Sequence, residues 1–200
     1  MHPCAAHAWP SLCAGLALAA GLAWFAPREA LDWQAQQAWT QPWRCWTAAL
    51  VHLSPLHLGA NLLGCAVVAA FGIAARLPPR ATGAWLVAWP LGHIALSVQP
   101  QLLHYAGLSG VLHAGVAVAA THLVGSGHGQ RRAVGAMVLA GLAIKLALEQ
   151  PWAGPTQVIP GWDFRVAALA HLTGAVAGLL CGAVAEAVAA RRASGSTLAH

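Results

Sequence analysis

The sequence predicts an all-α membrane protein, a single domain over residues 1–200 in which six apolar helices cross a bilayer. Three observations predict it. Asp, Glu, Lys and Arg together make up 8% of the chain, where a soluble domain carries about 25%; that is too little charge to cover a water-exposed surface. Hydrophobic residues make up 58%, and the mean hydropathy is +0.62. Pro, Gly and charged clusters divide the chain into six apolar segments, at roughly 9–26, 57–76, 83–98, 109–124, 133–149 and 164–190, close to the ~20 residues a spanning helix needs. Six such spans with short loops leave no room for a soluble domain.

The first segment has no Lys or Arg before Arg28, so it lacks the positive start of a secretory signal and is expected to be a retained span. Pro27 to Leu56 then forms the only long loop; its Trp33, Trp39, Trp43 and Trp46 suit a stretch lying in the headgroup layer. The second span is entered through HLSPLHLGAN and the fourth through GLSGVLHAG; the fifth closes on Lys145 and Glu149, and His171 interrupts the sixth. With six spans, Arg76, Arg80, Arg131, Arg132, Arg191 and Arg192 share one side, against Arg28, Arg44 and Arg165 on the other with Glu29, Asp32 and Asp163. That asymmetry predicts cytoplasmic termini, with loops one, three and five facing the periplasm or exterior. The net charge of +5 therefore reads as topology. Isolated basic pairs make no stripe for a phosphate backbone, and no nucleic acid partner is expected. Cys4, Cys13, Cys45, Cys65 and Cys181 are scattered without a C-x-x-C pair, and read as packing residues.

Ionisable and hydrogen-bonding side chains inside apolar spans are costly and mark function by default. His57 and Asn61 fall four residues apart, on one helical face at the entry to the second span, with His52 just before them. Ser109 opens the fourth span, with His113 one turn below; Gly107 and Gly110 flank it and allow a tight, close-packed entry. His171 lies seven residues into the predicted sixth span, about 10 Å deep at 1.5 Å per residue, so a Ser that meets it requires a third loop that dips into the protein. Gly174, Gly178 and Gly182 follow at helical spacing and let the fourth and sixth spans approach closely. Taken singly, a Ser is a back-bonded packing residue and a His a hydrogen-bonded structural group or a metal ligand. Together they supply a nucleophile, a base and oxyanion donors. A metal or haem protein using the eleven His remains the competing class.

His52-x4-His57-x3-Asn61, Gly107-x-Ser109-Gly110 and His171-x2-Gly174-x3-Gly178, in that order on spans two, four and six, resemble the rhomboid intramembrane serine proteases over residues 43–182. The resemblance implies a rhomboid-like six-helix bundle in a lipid bilayer, with no cofactor and no metal. It implies Ser109 as nucleophile and His171 as general base, a dyad without a carboxylate. His57 and Asn61, joined by the backbone N–H of Ser109, would donate to the oxyanion, and His52 would hold the first loop against the second span. GLSGVLHAG, with His113 where a Tyr is usual, and Lys145 with Glu149 in IKLALEQ resemble the rhombosortase branch, in which His113 would pack on the His171 ring. That branch implies a bacterial inner-membrane enzyme, opening to the periplasm, that cleaves exported proteins at a C-terminal Gly-Gly anchor helix. A protease of other single-span substrates and a non-catalytic binding protein of the same fold are the alternatives. For Lys145 and Glu149 two roles stand open, a simple i,i+4 pair or positioning of the incoming segment or the fifth loop.

Overall fold

Short polar and proline signals start the helices of this computed structural model, which describes residues 7–197. Ser54 caps α4 (Pro55–Ala74) by accepting the His57 backbone N–H at 3.1 Å, with Pro55 in the first helical position, where its missing N–H costs nothing. Pro79 likewise opens α5 (Pro79–Ile94), which runs on as a 3-10 turn to Val98. Before them lies α1 (Ala8–Ala23), and after them α6 (Ser109–Ser126), α7 (Gln130–Glu149) and α8 (Ala168–Thr197). The first loop carries α2 (Arg28–Leu31) and α3 (Arg44–Thr47), and its strand β1 (Trp33–Gln34) pairs antiparallel with β2 (His104–Tyr105) of the third loop.

The all-α membrane bundle is the observed fold. Four helices, over Pro55–Ala74, Pro79–Val98, Ser109–Ser126 and Ala168–Ser194, are long and apolar enough to cross a bilayer. Of the other two predicted spans, α1 is apolar but 16 residues long, and α7 reaches 20 residues with Arg131, Arg132, Lys145 and Glu149 toward its ends. α6 is the central helix, packed against α8, α5, α7 and α4, while α1 packs on α4 and α5. Trp9 of α1 donates to the Val68 carbonyl at 2.9 Å and packs tilted against Trp85, centroids 4.5 Å apart; the Trp85 N–H in turn reaches the Val111 carbonyl of α6 at 2.7 Å. Among the described residues Cys13, Cys45, Cys65 and Cys181 are free thiols, the first three buried; Cys4 lies outside the described residues.

Three expectations need correction. The sixth helix starts at Ala168 rather than 164, because Gln157 and Val166 exchange backbone hydrogen bonds of 2.8 Å and hold the preceding residues extended. His171 is therefore in the first turn of α8. The fifth loop consequently runs from Gln150 to Ala167, so the first loop is not the only long one. Trp33, expected at the headgroup layer, is instead fully buried beneath the β1–β2 pair, while Trp39, Trp43 and Trp46 are exposed. The first loop folds around Arg44, buried despite its charge: it donates to the Glu29 and Asp32 carbonyls at 2.9 and 2.7 Å and to the Asp32 carboxylate at 3.1 Å. Asp32 in turn takes His104 of the third loop at 2.7 Å.

Candidate active site

Ser109 and His171 each stand in the first turn of a helix, and the two helices meet at points without side chains. An added Cβ at Gly174 would strike the backbone of Gly110, one at Gly178 the backbone of Ala114, and one at Gly182 would fall 3.2–3.3 Å from Thr121 and Val118. The predicted glycine stripe is thus the contact between α6 and α8, and a glycine the sequence reading did not single out, Gly92 of α5, meets Gly174 from the other side. This closeness brings Ser109 Oγ to 2.9 Å from His171 Nε2.

Hydrogen bonding fixes the ring protons around that contact. Glu149 Oε2 lies 2.8 Å from His171 Nδ1, and a carboxylate can only accept, so Nδ1 carries the hydrogen and Nε2 offers its lone pair to the serine hydroxyl. An alcohol aimed at a neutral imidazole nitrogen is the arrangement of an activated nucleophile. The resemblance implies a Ser–His pair without a carboxylate; the one acid of α8, Glu186, is bonded to Arg80 and His122, but Glu149, the last residue of α7, sets its carboxylate beside His171. Glu149 also accepts from Lys145, so the predicted i,i+4 pair forms, while the fifth loop is held by the Glu149 carbonyl, through Gln157 Nε2 at 2.9 Å. His113 donates Nδ1–H to the Ser109 carbonyl at 2.7 Å and stacks flat on His171, centroids 4.3 Å apart and 10° between planes.

The opposite wall comes from α4. His57 Nδ1 accepts the Leu53 backbone N–H at 3.3 Å, which leaves Nε2 as the donor, and Gly107 packs against that edge of the ring. Asn61 gives one amide hydrogen to the His57 carbonyl at 3.1 Å and keeps a second. His52 lies edge-on to His57, centroids 4.8 Å apart, and bonds the Leu50 carbonyl at 3.1 Å; burial pushes its imidazole down to about 4. His57, Asn61, Ser109, His113, Glu149 and His171 all line one cleft of about 1040 Å³, which continues between the apolar faces of α4 and α7 past Leu63, Val67, Val138 and Leu142.

The turn before Ser109 needs glycine. Gly107 has φ +130°, which L side chains rarely adopt, its N–H donates to the Ala48 carbonyl at 2.9 Å, and its carbonyl accepts from Tyr105 Oη at 2.8 Å. Burial pushes the Tyr105 phenol up to about 12, so it remains a donor.

The sequence reading missed Tyr105, His93, Ser54, Asp163 and Phe164. Tyr105 is the only tyrosine in the chain, which was a usable signal. His93, inside an apolar helix, was another; it donates to the Cys45 carbonyl at 2.6 Å. Phe164 stacks on His57 at 4.1 Å, and Asp163 accepts from Ser54 Oγ at 2.6 Å; both are loop contacts across about a hundred residues, with no local pattern to betray them.

His113, Glu149 and His171 each bring a possible metal-ligand atom within 4.8 Å of the others. Both His171 nitrogens are already hydrogen-bonded, to Glu149 and to Ser109, so a cation shared by the three residues would have to break one of those bonds. No curated protein matches the chain. The family model of the Rhomboid domain matches residues 39–187, well over half of the chain and every residue of the α4, α6 and α8 cluster just described. The chain belongs to the rhomboid family of intramembrane serine proteases.

Proposed function

We propose that the protein is an intramembrane serine endopeptidase in which Ser109 attacks a peptide carbonyl and His171 is the general base. The observation that carries this reading is the 2.9 Å approach of Ser109 Oγ to His171 Nε2 on the wall of a cleft open to apolar helix faces. His171 takes the Ser109 proton as the Oγ–C bond forms and returns it to the departing amine as the C–N bond breaks; water then releases the acyl group by the reverse proton route. His57 Nε2–H, the free Asn61 amide hydrogen and the N–H groups of the first α6 turn, which have no intrahelical acceptor, are suited to receive the oxyanion.

The substrates we propose are exported proteins held in the membrane by a C-terminal anchor helix preceded by Gly-Gly, as in rhombosortase. Support comes from His113 and from the Lys145–Glu149 pair, both at the site. A segment that must leave its own helix to reach Ser109 is helped by glycine, which weakens the helix and removes bulk. Basic residues concentrated in loops two and four and the tail support a bacterial inner-membrane protein with cytoplasmic termini and the site facing the periplasm.

Co-expression with a Gly-Gly anchored protein tests the proposal. The wild type should release the anchor helix, and Ser109→Ala or His171→Ala should abolish release while remaining folded in the membrane. Wild-type turnover by Ser109→Ala would refute the serine mechanism.

A further inference from the structure

We infer that Glu149 is a positioning residue for His171, making the site a Ser–His–Glu triad whose third member is delivered by α7 and braced by Lys145. The inference rests on the proposed roles of Ser109 and His171 and adds a part to them. Its basis is geometric: Glu149 Oε2 at 2.8 Å from His171 Nδ1, on the side of the ring opposite Ser109 Oγ at 2.9 Å from Nε2. The second Glu149 oxygen receives the Lys145 ammonium, so each carboxylate oxygen has a partner of its own. Both carboxylate and ring are largely shielded, with side-chain exposures of 18% and 9%.

The chemistry that follows is specific. A neutral imidazole can carry its hydrogen on either nitrogen, and only the Nδ1–H form leaves Nε2 able to take a proton from serine. An acceptor-only partner at Nδ1 selects that form. When the Ser109 proton arrives at Nε2, the ring becomes a cation between Glu149 and the flat face of His113, and the carboxylate stabilises it without itself taking up the proton. The proton then leaves with the amine, and Glu149 ends each half-reaction as it began.

Ion pairs at helix ends are common, and Lys145 with Glu149 alone would be one of them. What separates this pair from a surface feature is the crossing between elements: Glu149 is the last residue of α7, and Gln150 turns the chain away at φ 47°, so the helix ends where its carboxylate meets α8. Gln157 of the fifth loop fastens the same point through the Glu149 and Gln150 carbonyls at 2.9 and 2.8 Å. The ionisable groups around the ring are His113 of α6 on its face, Glu149 and Lys145 of α7 at its Nδ1 edge, and His57 of α4 across the cleft, itself near Asp163; Tyr105 lies beyond Ser109, and His93 of α5 is turned away toward the Cys45 carbonyl.

The test uses the purified full chain in proteoliposomes and a fluorophosphonate probe, which labels an activated serine without requiring the natural substrate. Labelling rates are measured from pH 5 to 9. Glu149→Gln presents an amide to Nδ1, which no longer selects the Nδ1–H form, and should slow labelling by about 10²- to 10⁴-fold. It should also move the acid limb of the profile to lower pH, since the imidazolium loses its anionic neighbour. Glu149→Asp keeps an acceptor on a shorter arm and should recover part of the rate. Lys145→Met removes a cation from the same neighbourhood, so its acid limb should move the opposite way, to higher pH, with a smaller change in rate.

A merely structural carboxylate would lower the folded fraction and leave the profile of the folded enzyme in place. Glu149→Gln labelling within threefold of wild type with an unmoved acid limb overturns the inference. So does one bound metal ion per chain that is lost in Glu149→Gln. If Glu149→Gln does not fold, Lys145→Met decides: an upward limb supports the triad, and an unchanged or downward one overturns it. Ser109→Ala separates the two readings, because labelling that persists there removes the serine mechanism itself, whereas its loss there beside normal labelling of Glu149→Gln removes only the role of Glu149.

Discussion

Replacing Gly174 by alanine puts one methyl group where α8 meets the backbone of α6. The added carbon would strike the Gly110 carbonyl oxygen and lie 2.8 Å from its carbonyl carbon and 3.2 Å from its Cα, with Gly92 of α5 already closing the other side. All of these are backbone atoms, so no side chain can swing away. Carbon atoms rest about 3.5 to 4.0 Å apart, so the helices must separate by roughly 1 Å at this level. Ser109 is the neighbour of Gly110, and His171 stands less than one turn from Gly174. The same movement therefore stretches the 2.9 Å Oγ to Nε2 contact beyond hydrogen-bond range. Overpacking of this kind costs about 1–3 kcal/mol of stability, and a 1 Å displacement of reacting groups costs on the order of 10²-fold in rate. Fluorophosphonate labelling and thermal unfolding in the same detergent read the two effects separately. Gly178→Ala, one turn further along, should match the stability loss with a smaller loss of labelling, and Gly21→Ala, where an added Cβ meets nothing within 4 Å, should be neutral or mildly stabilising. Wild-type labelling by Gly174→Ala would show that the close crossing does not hold Ser109 against His171.

Gly107→Ala should be worse for activity than for folding: its φ of +130° resists a side chain, and the new Cβ would lie 2.7 Å from His57 Nε2, the atom proposed to face the oxyanion. A cleavage assay beside circular dichroism checks this, and unaltered turnover counts against it. His52 is buried and held near 4 against an unfolded value of 6.5, so the unfolded chain binds the extra proton first and stability should fall as pH drops from about 6.5 toward 4. The slope reaches at most ~1.4 kcal/mol per pH unit for one proton, and His52→Gln should flatten the measured dependence by that share; an unchanged slope refutes the assignment. Changing the Gly-Gly of a cleaved anchor to Leu-Leu should block cleavage, read by immunoblot of the released product, and equal cleavage of both would reject the Gly-Gly substrate class while leaving the protease reading intact.

Much of the bundle was legible because apolar runs bounded by Pro, Gly and charge are direct consequences of bilayer thickness. The start of α6 at Ser109 and the end of α7 at Glu149 coincide with the predicted limits. The start of α8 does not, because Gln157 pairs with Val166, a loop bridge with no periodic signature, and holds residues ahead of Ala168 out of the helix. The Ser109, His171, His57 and Asn61 cluster was legible from the order and spacing of motifs. Glu149 is legible in the sequence as a partner of Lys145, but its second bond, to His171, crosses from α7 to α8 and has no local spacing to reveal it. Trp33 was misplaced for a related reason: tryptophan in a loop between spans fits the headgroup layer, and only the pairing of β1 with β2 across 72 residues reveals that it is covered.

The Ser109 to His171 contact also sets an order of events during synthesis. The two residues are 62 positions apart, and His171 belongs to a helix made later than the one that carries Ser109. At the ~5–20 residues per second of a ribosome, on the order of 3–12 seconds separate their appearance. During that interval Ser109 has neither the imidazole at its hydroxyl nor the glycine face of α8 against its helix. A nascent chain therefore exposes an unactivated alcohol to its neighbours in the membrane. The hydroxyl meets its imidazole only when α8 has entered beside α6, so docking of that helix and assembly of the reactive pair are one step.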